Sequence, residues 1–281
     1  FENFLAKFDV LRLFYRSPEI IQRITREAVE DAAADNVQYL ELRFTPVALS
    51  RVGDFPLPEV MDWVIASTQE AEQACGVTTR LIASVNRHES LELGAEVARL
   101  AIERMGRGIV GLDLAGDEAN YSAQPFAGIF QEAREAGLRI TVHAGEWGSA
   151  NNIIEAIDLF GAERVGHGVR ILENPEAVAL ARERGTVFEV CPTSNYQSGV
   201  VPSLHMHPLP QMAAAGLQTT INTDDPSVSG IDLSDEYSTA CEALSFSLEH
   251  LRASILRAAQ AAFLQNGECQ HLAQKLAGQL S

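Results

Sequence analysis

The sequence predicts an α/β barrel, in which a ring of parallel strands alternates with helices. Three observations lead to this expectation. Short apolar runs with β-forming residues alternate with helix-period segments, which is the pattern of repeated βα units. The runs are apolar almost throughout, as expected for strands buried on both faces. Nearly every run ends in a polar cluster, and barrel enzymes build their active sites from the loops after the carboxyl ends of the strands.

Seven runs have the character of strands. They span residues 37–45, 79–86, 109–115, 139–143, 164–168, 186–191 and 218–222. A closed barrel needs eight strands and a doubly wound sheet usually has fewer, so the count alone leaves both open. The polar clusters favour the barrel, because seven strands that present such groups at one end indicate a ring around a shared site.

Helix signals lie between these runs. Ser17 and Pro18 form a helix start, with serine as the N-cap and proline in the first turn. A second helix opens at Pro58 and ends where Gly76 supplies a C-cap. A third ends before Gly106. These segments supply the helices that a barrel places between its strands.

The composition limits which binding partners and which cellular location are expected for the protein. The 281 residues are 46% hydrophobic and predict a single domain over residues 1–281. A net charge of −17 argues against nucleic acid and anionic membranes as partners, and favours a small neutral or cationic substrate. The four cysteines form no Cys-x-x-Cys motif and no apolar run is long enough to span a membrane. A reduced, cytoplasmic location is expected, with a signal peptide left open.

Two strand ends carry histidines that are candidates for metal binding or catalysis. His143 is a candidate metal ligand and Glu146 a candidate acid, in a tight turn that Gly145 allows. A buried structural histidine beside a surface glutamate is the alternative. His167 lies between two glycines, which allow close backbone approach and suit a histidine that faces a substrate. A tight turn under a structural histidine also fits this pattern.

Asp224 and Asp225 are adjacent carboxylates after another strand. Such carboxylates repel each other unless a cation lies between them or one is protonated. A divalent metal would resolve this conflict, and a helix N-cap is the alternative interpretation. Because His143 and His167 lie at other strand ends, we favour the metal.

Other motifs are assigned no chemistry. His205-Met206-His207 lies in a proline-rich loop with no apolar strand before it, so we interpret it as a solvated loop or a helix start rather than a zinc site. Cys191 is interpreted as a small buried core residue rather than a nucleophile. The sequence contains no GxSxG, no GxxxxGK[ST] and no GxGxxG after a strand.

Seven stretches resemble the adenosine deaminase family, in family order and at family spacing from the first residue to about residue 265. They are residues 4–9 (FLAKFD), 40–44 (LELRF), 113–118 (DLAGDE), 141–146 (TVHAGE), 164–168 (RVGHG), 188–192 (FEVCP) and 222–226 (NTDDP). The resemblance implies a (β/α)₈ TIM barrel with one Zn²⁺ per chain. It also implies a metal-dependent hydrolase that converts adenosine or 2′-deoxyadenosine into inosine or 2′-deoxyinosine and ammonia.

The resemblance also implies a role for each matched residue. His143 and Asp224 would be metal ligands, Glu146 the proton donor and His167 a partner of the zinc-bound water. Asp225 would contact purine N7, and the backbone N–H of Gly116 would contact purine N3.

A helical lid is expected within residues 1–16. Phe1, Phe4, Leu5 and Phe8 are spaced so that they share one apolar face of a helix. The resemblance implies that this helix covers the nucleoside pocket, with Phe4, Leu5 and Phe8 among the substrate-binding residues. Ordinary packing of the same face onto the barrel is the alternative.

The chemistry agrees with these implied roles. Loss of an aromatic amino group by hydrolysis needs a strong nucleophile, and zinc provides one by lowering the pKa of bound water to about 7. Attack at purine C6 loads electron density onto N1. A neutral carboxylic acid can protonate N1, which requires a raised pKa for Glu146.

In one respect the sequence departs from the family pattern. The family takes two further zinc ligands from a His-x-His on its first strand, so two more histidine ligands are expected upstream of Phe1. We therefore expect an N-terminally incomplete barrel whose first strand is absent, with about 60–70 residues omitted. Two ligands do not hold catalytic zinc, so a chain complete at 281 residues is expected to show negligible deamination.

Two alternatives remain at this point. The substrate could be a related purine, such as adenine or a modified adenosine, selected by residues 86–88 and 193–196. The chain could also be a catalytically inactive relative that binds a purine or a partner. Metal analysis separates this second alternative from the enzyme.

Overall fold

The computed structural model describes Lys7 and residues 10–280 of the chain. Within these residues, no helix combines the length and apolar character needed to cross a membrane.

Most residues that define the predicted lid lie outside the part of the chain that the structure describes. Phe1, Phe4, Leu5 and Phe8 lie outside the described residues, so the lid over residues 1–16 stays a prediction. The two histidine ligands expected upstream of Phe1 likewise stay a prediction. The described end of the lid segment is helical at residues 10–12.

Strands and helices alternate as predicted. The strands are β1 (Tyr39–Phe44), β2 (Thr78–Asn86), β3 (Ile109–Ala115), β4 (Arg139–Ala144), β5 (Arg164–His167), β6 (Val187–Val190) and β7 (Gln218–Ile221). Each predicted strand is confirmed, with ends that differ by at most two residues. The sequence located them well because a buried parallel strand is apolar throughout and bounded by polar or glycine residues.

Among the helices whose bounds lie in the described residues, one precedes β1, others lie in the intervals between strands, and four follow β7. These helices are α1 (Pro18–Ala34), α2 (Pro46–Arg51), α3 (Leu57–Cys75), α4 (Leu91–Glu103), α5 (Ala127–Glu135), α6 (Ala150–Asp158), α7 (Pro175–Arg184), α8 (Pro192–Gln197), α9 (Leu209–Ala214), α10 (Pro226–Ser229), α11 (Leu233–Glu242), α12 (Leu248–Ala261) and α13 (Asn266–Gln279). The predicted caps are confirmed. The Ser17 hydroxyl accepts the Ile20 N–H at 3.4 Å, and α3 ends at Gly76 with a left-handed φ of 75°.

The described chain divides into two compact units. The first comprises the described residues of 1–116 and 128–139. Its strands pair in parallel in the order β1-β2-β3, with Phe44 opposite Ala83 and Asn86 opposite Ala115. Helices α1 and α3 pack against each other, and Val29, Ala71 and Val77 form a buried cluster there.

The second unit comprises residues 117–127 and the described residues of 140–281. Strands β4, β5, β6 and β7 pair in parallel in chain order. Ile140, Val165 and Phe188 are fully buried, so the strands lie inside the unit. Since parallel strands end at the same edge of a sheet, the polar residues after these four strands are brought together.

Candidate active site

The turn after β4 places Glu146 three residues beyond His143. Gly145 has a left-handed φ of 68°, and a Cβ at this position would lie 2.5 Å from the Ile153 side chain. Only glycine therefore fits both the backbone and the space. This confirms that Gly145 makes the tight turn possible. The Glu146 side chain is 14% exposed.

A second carboxylate, that of Glu118, holds this turn. Its oxygens accept the backbone N–H groups of Gly145 at 2.6 Å, Glu146 at 3.0 Å, and Trp147 and Gly148 at 2.9 Å each. Glu118 is only 6% exposed, so this buried charge is compensated by four donors. Sequence reasoning assigned Glu118 no role, although it stands in the polar cluster after β3.

His167 lies at the end of β5, next to His143. Gly166 is opposite His143 in the parallel pairing, and a Cβ on Gly166 would lie 3.2 Å from His143 Cγ. The group that closely approaches the Gly166 backbone, as the sequence predicts, is therefore the His143 side chain. The two imidazole rings have centroids 5.3 Å apart, and His167 is buried.

Asp224 follows β7 and contacts α8. Its Oδ2 accepts the Ser194 hydroxyl at 2.6 Å. Asp225 occupies the N-cap position of α10, where its backbone carbonyl accepts the N–H groups of Val228 and Ser229 at 3.0 Å. The N-cap alternative thus describes the position of Asp225, while Asp224 extends toward the other polar groups.

His167 and Asp224 share an uncommon backbone conformation. Their φ angles are 61° and 59°, in the left-handed region. That region costs a non-glycine residue about 1–2 kcal/mol, and such residues cluster at functional sites where the surrounding fold holds them. Two strand ends of one sheet therefore carry strained, chemically capable residues.

Asn195 joins the predicted acid to His167. Its amide nitrogen lies 3.2 Å from Glu146 Oε1 and 3.1 Å from His167 Nδ1. His167 Nε2 lies 3.5 Å from Glu146 Oε2. Asn195 is fully buried on α8. The sequence predicts a part for Asn195 only in substrate selection. Its contacts with Glu146 and His167 depend on how α8 meets the ends of β4 and β5.

Possible metal-ligand atoms also converge here. One each from His167, Cys191 and Asp224 lie within 4.8 Å of one another. Cys191 is buried as predicted, and its thiol donates to the Glu189 carbonyl at 3.4 Å. The predicted ligand His143 lies beside this group through its ring contact with His167. Imidazole, carboxylate and thiolate are the donors that zinc takes in proteins, so the residues present fit such an ion.

Burial of Glu146 raises its pKa and so favours its neutral form. Burial is the largest cause that raises the pKa of Glu146, and the negative charges of Asp224 and Glu118 raise it further. His167 and His143 act in the opposite direction without reversing the shift. The raised pKa agrees with the expectation that a neutral carboxylic acid is present at this position.

Gly116 follows β3 and belongs to the first unit. Its φ is 91°, and a Cβ there would lie 2.9 Å from His88 Nδ1. Its backbone conformation therefore requires glycine. The contact expected between its N–H and a purine stays a prediction.

The solvated-loop interpretation of the His-x-His motif holds for the exposed His205 but not for the buried His207. His205 is exposed and its Nδ1 lies 2.8 Å from the Ala243 carbonyl oxygen. His207 is 1% exposed and its Nε2 lies 3.2 Å from Asn195 Oδ1. The two rings therefore have different partners. The helix-start alternative is right, since α9 begins at Leu209.

Comparison with known proteins identifies relatives across the chain. The family model described as adenosine deaminase matches residues 1–279. The adenosine deaminase of Klebsiella pneumoniae (strain 342) is 39% identical over 276 residues, which cover 98% of this chain and 82% of the relative. The resemblance that the seven sequence stretches predicted is confirmed.

Solved structures give the same result at the level of the fold. An adenine deaminase from Arthrobacter aurescens has a TM-score of 0.88 at 30% identity, covering 94% of this chain and 80% of that one. An amidohydrolase from Burkholderia ambifaria with bound Zn has a TM-score of 0.91 at 28% identity. The match covers 97% of this chain and 77% of that one. The N6-mAMP deaminase of Arabidopsis has a TM-score of 0.89 at 29% identity. The match covers 98% of this chain and 83% of that one. The predicted α/β barrel fold class is thereby confirmed.

Proposed function

The chain belongs to the adenosine deaminase family of hydrolytic deaminases, and from this premise we propose that its substrates are adenosine and 2′-deoxyadenosine. Water would replace the 6-amino group, giving inosine or 2′-deoxyinosine and ammonia. The observation that carries this proposal is the position of Glu146, whose Oε2 lies 3.5 Å from His167 Nε2 and whose pKa is raised. The 39% identity to a bacterial adenosine deaminase supports the nucleoside as substrate.

The proposed metal is one zinc ion, held by His143 and Asp224, with the two further histidines expected upstream of Phe1. Asp224 contributes to a group of converging ligand atoms with His167 and Cys191, and the His143 ring lies against His167. The structurally similar Burkholderia amidohydrolase carries bound Zn. When bound, zinc would supply a water of lowered pKa as the nucleophile. The Ser194 hydroxyl bond at 2.6 Å orients the Asp224 carboxylate for this role.

Glu146 is the proposed general acid. As water adds to C6, electron density moves onto purine N1, and the neutral carboxyl of Glu146 gives N1 its proton. His167 would hydrogen-bond the attacking water. Asp225 would contact purine N7 and the Gly116 N–H purine N3. The lid residues Phe4, Leu5 and Phe8 would exclude bulk water from this chemistry.

A substrate panel tests the proposal. Full-length protein loaded with zinc is mixed with adenosine, 2′-deoxyadenosine, adenine or N6-methyl-AMP, and deamination is followed by absorbance and by ammonia release. The two nucleosides are expected to give the highest kcat/KM. A preference for adenine or for the methylated nucleotide, on which similar proteins act by name, would overturn the substrate assignment while leaving the deaminase class intact.

A nucleotide is disfavoured as substrate by charge. The chain carries a net charge of −17, and a phosphate group needs Arg or Lys donors to offset repulsion from an acidic protein. The proposal therefore predicts that adding a 5′-phosphate to adenosine lowers kcat/KM. Raising the salt concentration should narrow this difference, because salt screens the repulsion.

A further inference from the structure

His207 has a hydrogen-bond partner on each ring nitrogen, although it lies outside the catalytic strand ends. It belongs to the segment between α8 and α9. Its Nδ1 accepts the backbone N–H of Leu209 at 3.1 Å, and its Nε2 lies 3.2 Å from Asn195 Oδ1. With 1% exposure it makes these bonds away from solvent. A buried histidine with both nitrogens engaged has a fixed ring orientation.

The backbone N–H fixes which ring nitrogen of His207 carries the proton. An amide N–H can only donate, so Nδ1 must present a lone pair to Leu209. Burial lowers the pKa of His207 to about 4, so the ring is neutral at pH 7. Its single ring proton is therefore on Nε2, which donates to Asn195 Oδ1.

The orientation of Asn195 follows from that bond. With Oδ1 accepting from His207, the amide nitrogen faces Glu146 Oε1 at 3.2 Å and His167 Nδ1 at 3.1 Å. An amide nitrogen has two N–H groups, one for each of these acceptors. His167 therefore presents a lone pair at Nδ1. In its neutral form it carries its proton on Nε2, the nitrogen that lies 3.5 Å from Glu146 Oε2.

We propose that His207 is a positioning residue that acts through Asn195, setting the tautomer of His167 and the orientation of the Glu146 carboxyl group. The inference rests on the proposed function, because its kinetic consequence requires Glu146 and His167 to act on a purine. Its structural part, the tautomer of His167, can be measured whether or not a purine is deaminated. The proposed consequence is a ring that offers an N–H, rather than a lone pair, on its Glu146 side.

The position of α8 supports this role. The Thr193 N–H near its start donates to Glu236 at 2.9 Å, and Ser194 donates to Asp224. Asn195 is the next residue, so one short helix delivers consecutive side chains to two active-site carboxylates. The Asn195–His207 bond ties this helix to the segment before α9, which limits rotation of the Asn195 amide.

Two substitutions at one position separate positioning from packing. In His207→Asn, the shorter side chain can still accept the Leu209 N–H but cannot reach Asn195. In His207→Gln, the amide nitrogen can occupy the place of Nε2. We expect His207→Asn to lower kcat about 10–100-fold, the range seen when a residue that orients a catalytic group is lost, with KM changed less than about threefold. His207→Gln should recover most of the kcat.

His205→Asn is the matched control. This exposed histidine lies two residues away, and its Nδ1 neighbours the Ala243 carbonyl. It should leave kcat unchanged. If thermal unfolding shows that His207→Asn is folded and the variant retains wild-type kcat, the kinetic part of the proposal is wrong. Equal losses in the Asn and Gln variants would also overturn it, because packing alone would then explain the effect.

The ¹⁵N NMR shifts of the His167 ring in the unmodified protein give a test that needs no variant. We expect an unprotonated Nδ1 and a protonated Nε2. Asn195→Asp replaces the donor nitrogen by an acceptor and should move the ring proton to Nδ1. A wild-type His167 protonated at Nδ1 would overturn the proposal, even for an active deaminase. Failure of the wild-type protein to deaminate any purine would instead refute the proposed function.

Discussion

At the scale of single residues, the surroundings of Glu146 favour its proposed role as the acid. Its carboxyl group lies between Asn195 and His167, and it is 14% exposed. Burial and the nearby charges of Asp224 and Glu118 raise its pKa. The same residue type on the surface would be ionised at neutral pH and could not donate a proton.

Replacing Glu146 by glutamine should lower kcat by about 10²–10⁴-fold, because the amide cannot give its proton to the purine. The wild-type kcat should fall as pH rises through the raised pKa, since the protonated acid is then lost. The glutamine variant should lack this fall. Steady-state kinetics across pH check both points.

The control for this experiment is Glu173→Gln. Glu173 is an exposed glutamate that pairs with Arg170 at 2.8 Å. It should retain wild-type kcat and the wild-type pH profile. A Glu146→Gln variant as active as this control would exclude Glu146 as the acid.

Glu236 predicts a pH dependence of stability. It is fully buried on α11, and within the described part of the chain its Oε2 has no hydrogen-bond partner. Burial is the largest cause that raises its pKa to about 7, above the value of 4.5 for a free glutamate. The folded protein therefore holds this proton more tightly than the unfolded chain does between these two pH values, so stability should fall as pH rises through this window.

The expected loss is on the order of 3 kcal/mol between pH 4.5 and about pH 7, and smaller if the carboxylate relaxes on ionisation. Glu236→Gln keeps an oxygen for the Thr193 N–H and cannot ionise. Its free energy of unfolding should vary less with pH over this window. Denaturant unfolding at several pH values measures the difference, and parallel curves for the two proteins would contradict the assignment.

At the scale of elements, the turn after β4 depends on a residue from a different loop. Glu118 follows β3 in sequence and accepts four consecutive backbone N–H groups of residues 145–148. A cluster of donors around one carboxylate fixes the backbone that carries Glu146. The position of Glu146 is thus set by main-chain hydrogen bonds as well as by the contacts of its own side chain.

Glu118→Gln should loosen this turn, because an amide places N–H groups against the backbone donors. We expect faster hydrogen exchange at residues 145–148 and a kcat lowered about 10-fold or more, as for other losses of precise positioning. Asp117→Asn is the control, because it removes a neighbouring charge whose carboxylate accepts hydrogen bonds from Asn120. Unchanged amide exchange in the Glu118 variant would show that other contacts hold the turn.

Sequence predicted the elements better than the contacts between them. Strand positions follow from local apolar runs, and the tight turn follows from Gly145. The roles of Glu118 and Asn195 could not be read this way, because their partners lie 27–30 and 28–49 residues away along the chain. The burial of His207 could not be predicted from the sequence either, since a proline-rich loop with no strand before it gives no sign of burial.

At the scale of the whole molecule, the resemblance and the fold reinforce each other. Seven sequence stretches predicted the family, and both the family match over residues 1–279 and the TM-scores of 0.88–0.91 agree with it. A single barrel domain over the full chain stays a prediction. The polar strand ends of the second unit meet as barrel architecture requires.

Metal removal should destabilise the second unit as a whole. The proposed ligands His143 and Asp224 lie at the ends of its first and last strands, β4 and β7. Chelation is expected to lower Tm and abolish deamination, since a ligand bound only to the folded state stabilises it. Calorimetry of the protein before and after chelation, and after zinc is restored, measures this. An unchanged Tm together with full activity would rule out the metal.

The short helix α8 limits how this protein can change. Ser194 and Asn195 are adjacent, and each is bonded to a different carboxylate. Deleting or inserting one residue ahead of them would rotate the helix by about 100° and break both bonds at once. The next residue, Tyr196, is 47% exposed. Libraries built to retarget the enzyme should therefore keep the length of this segment and vary only its outward face.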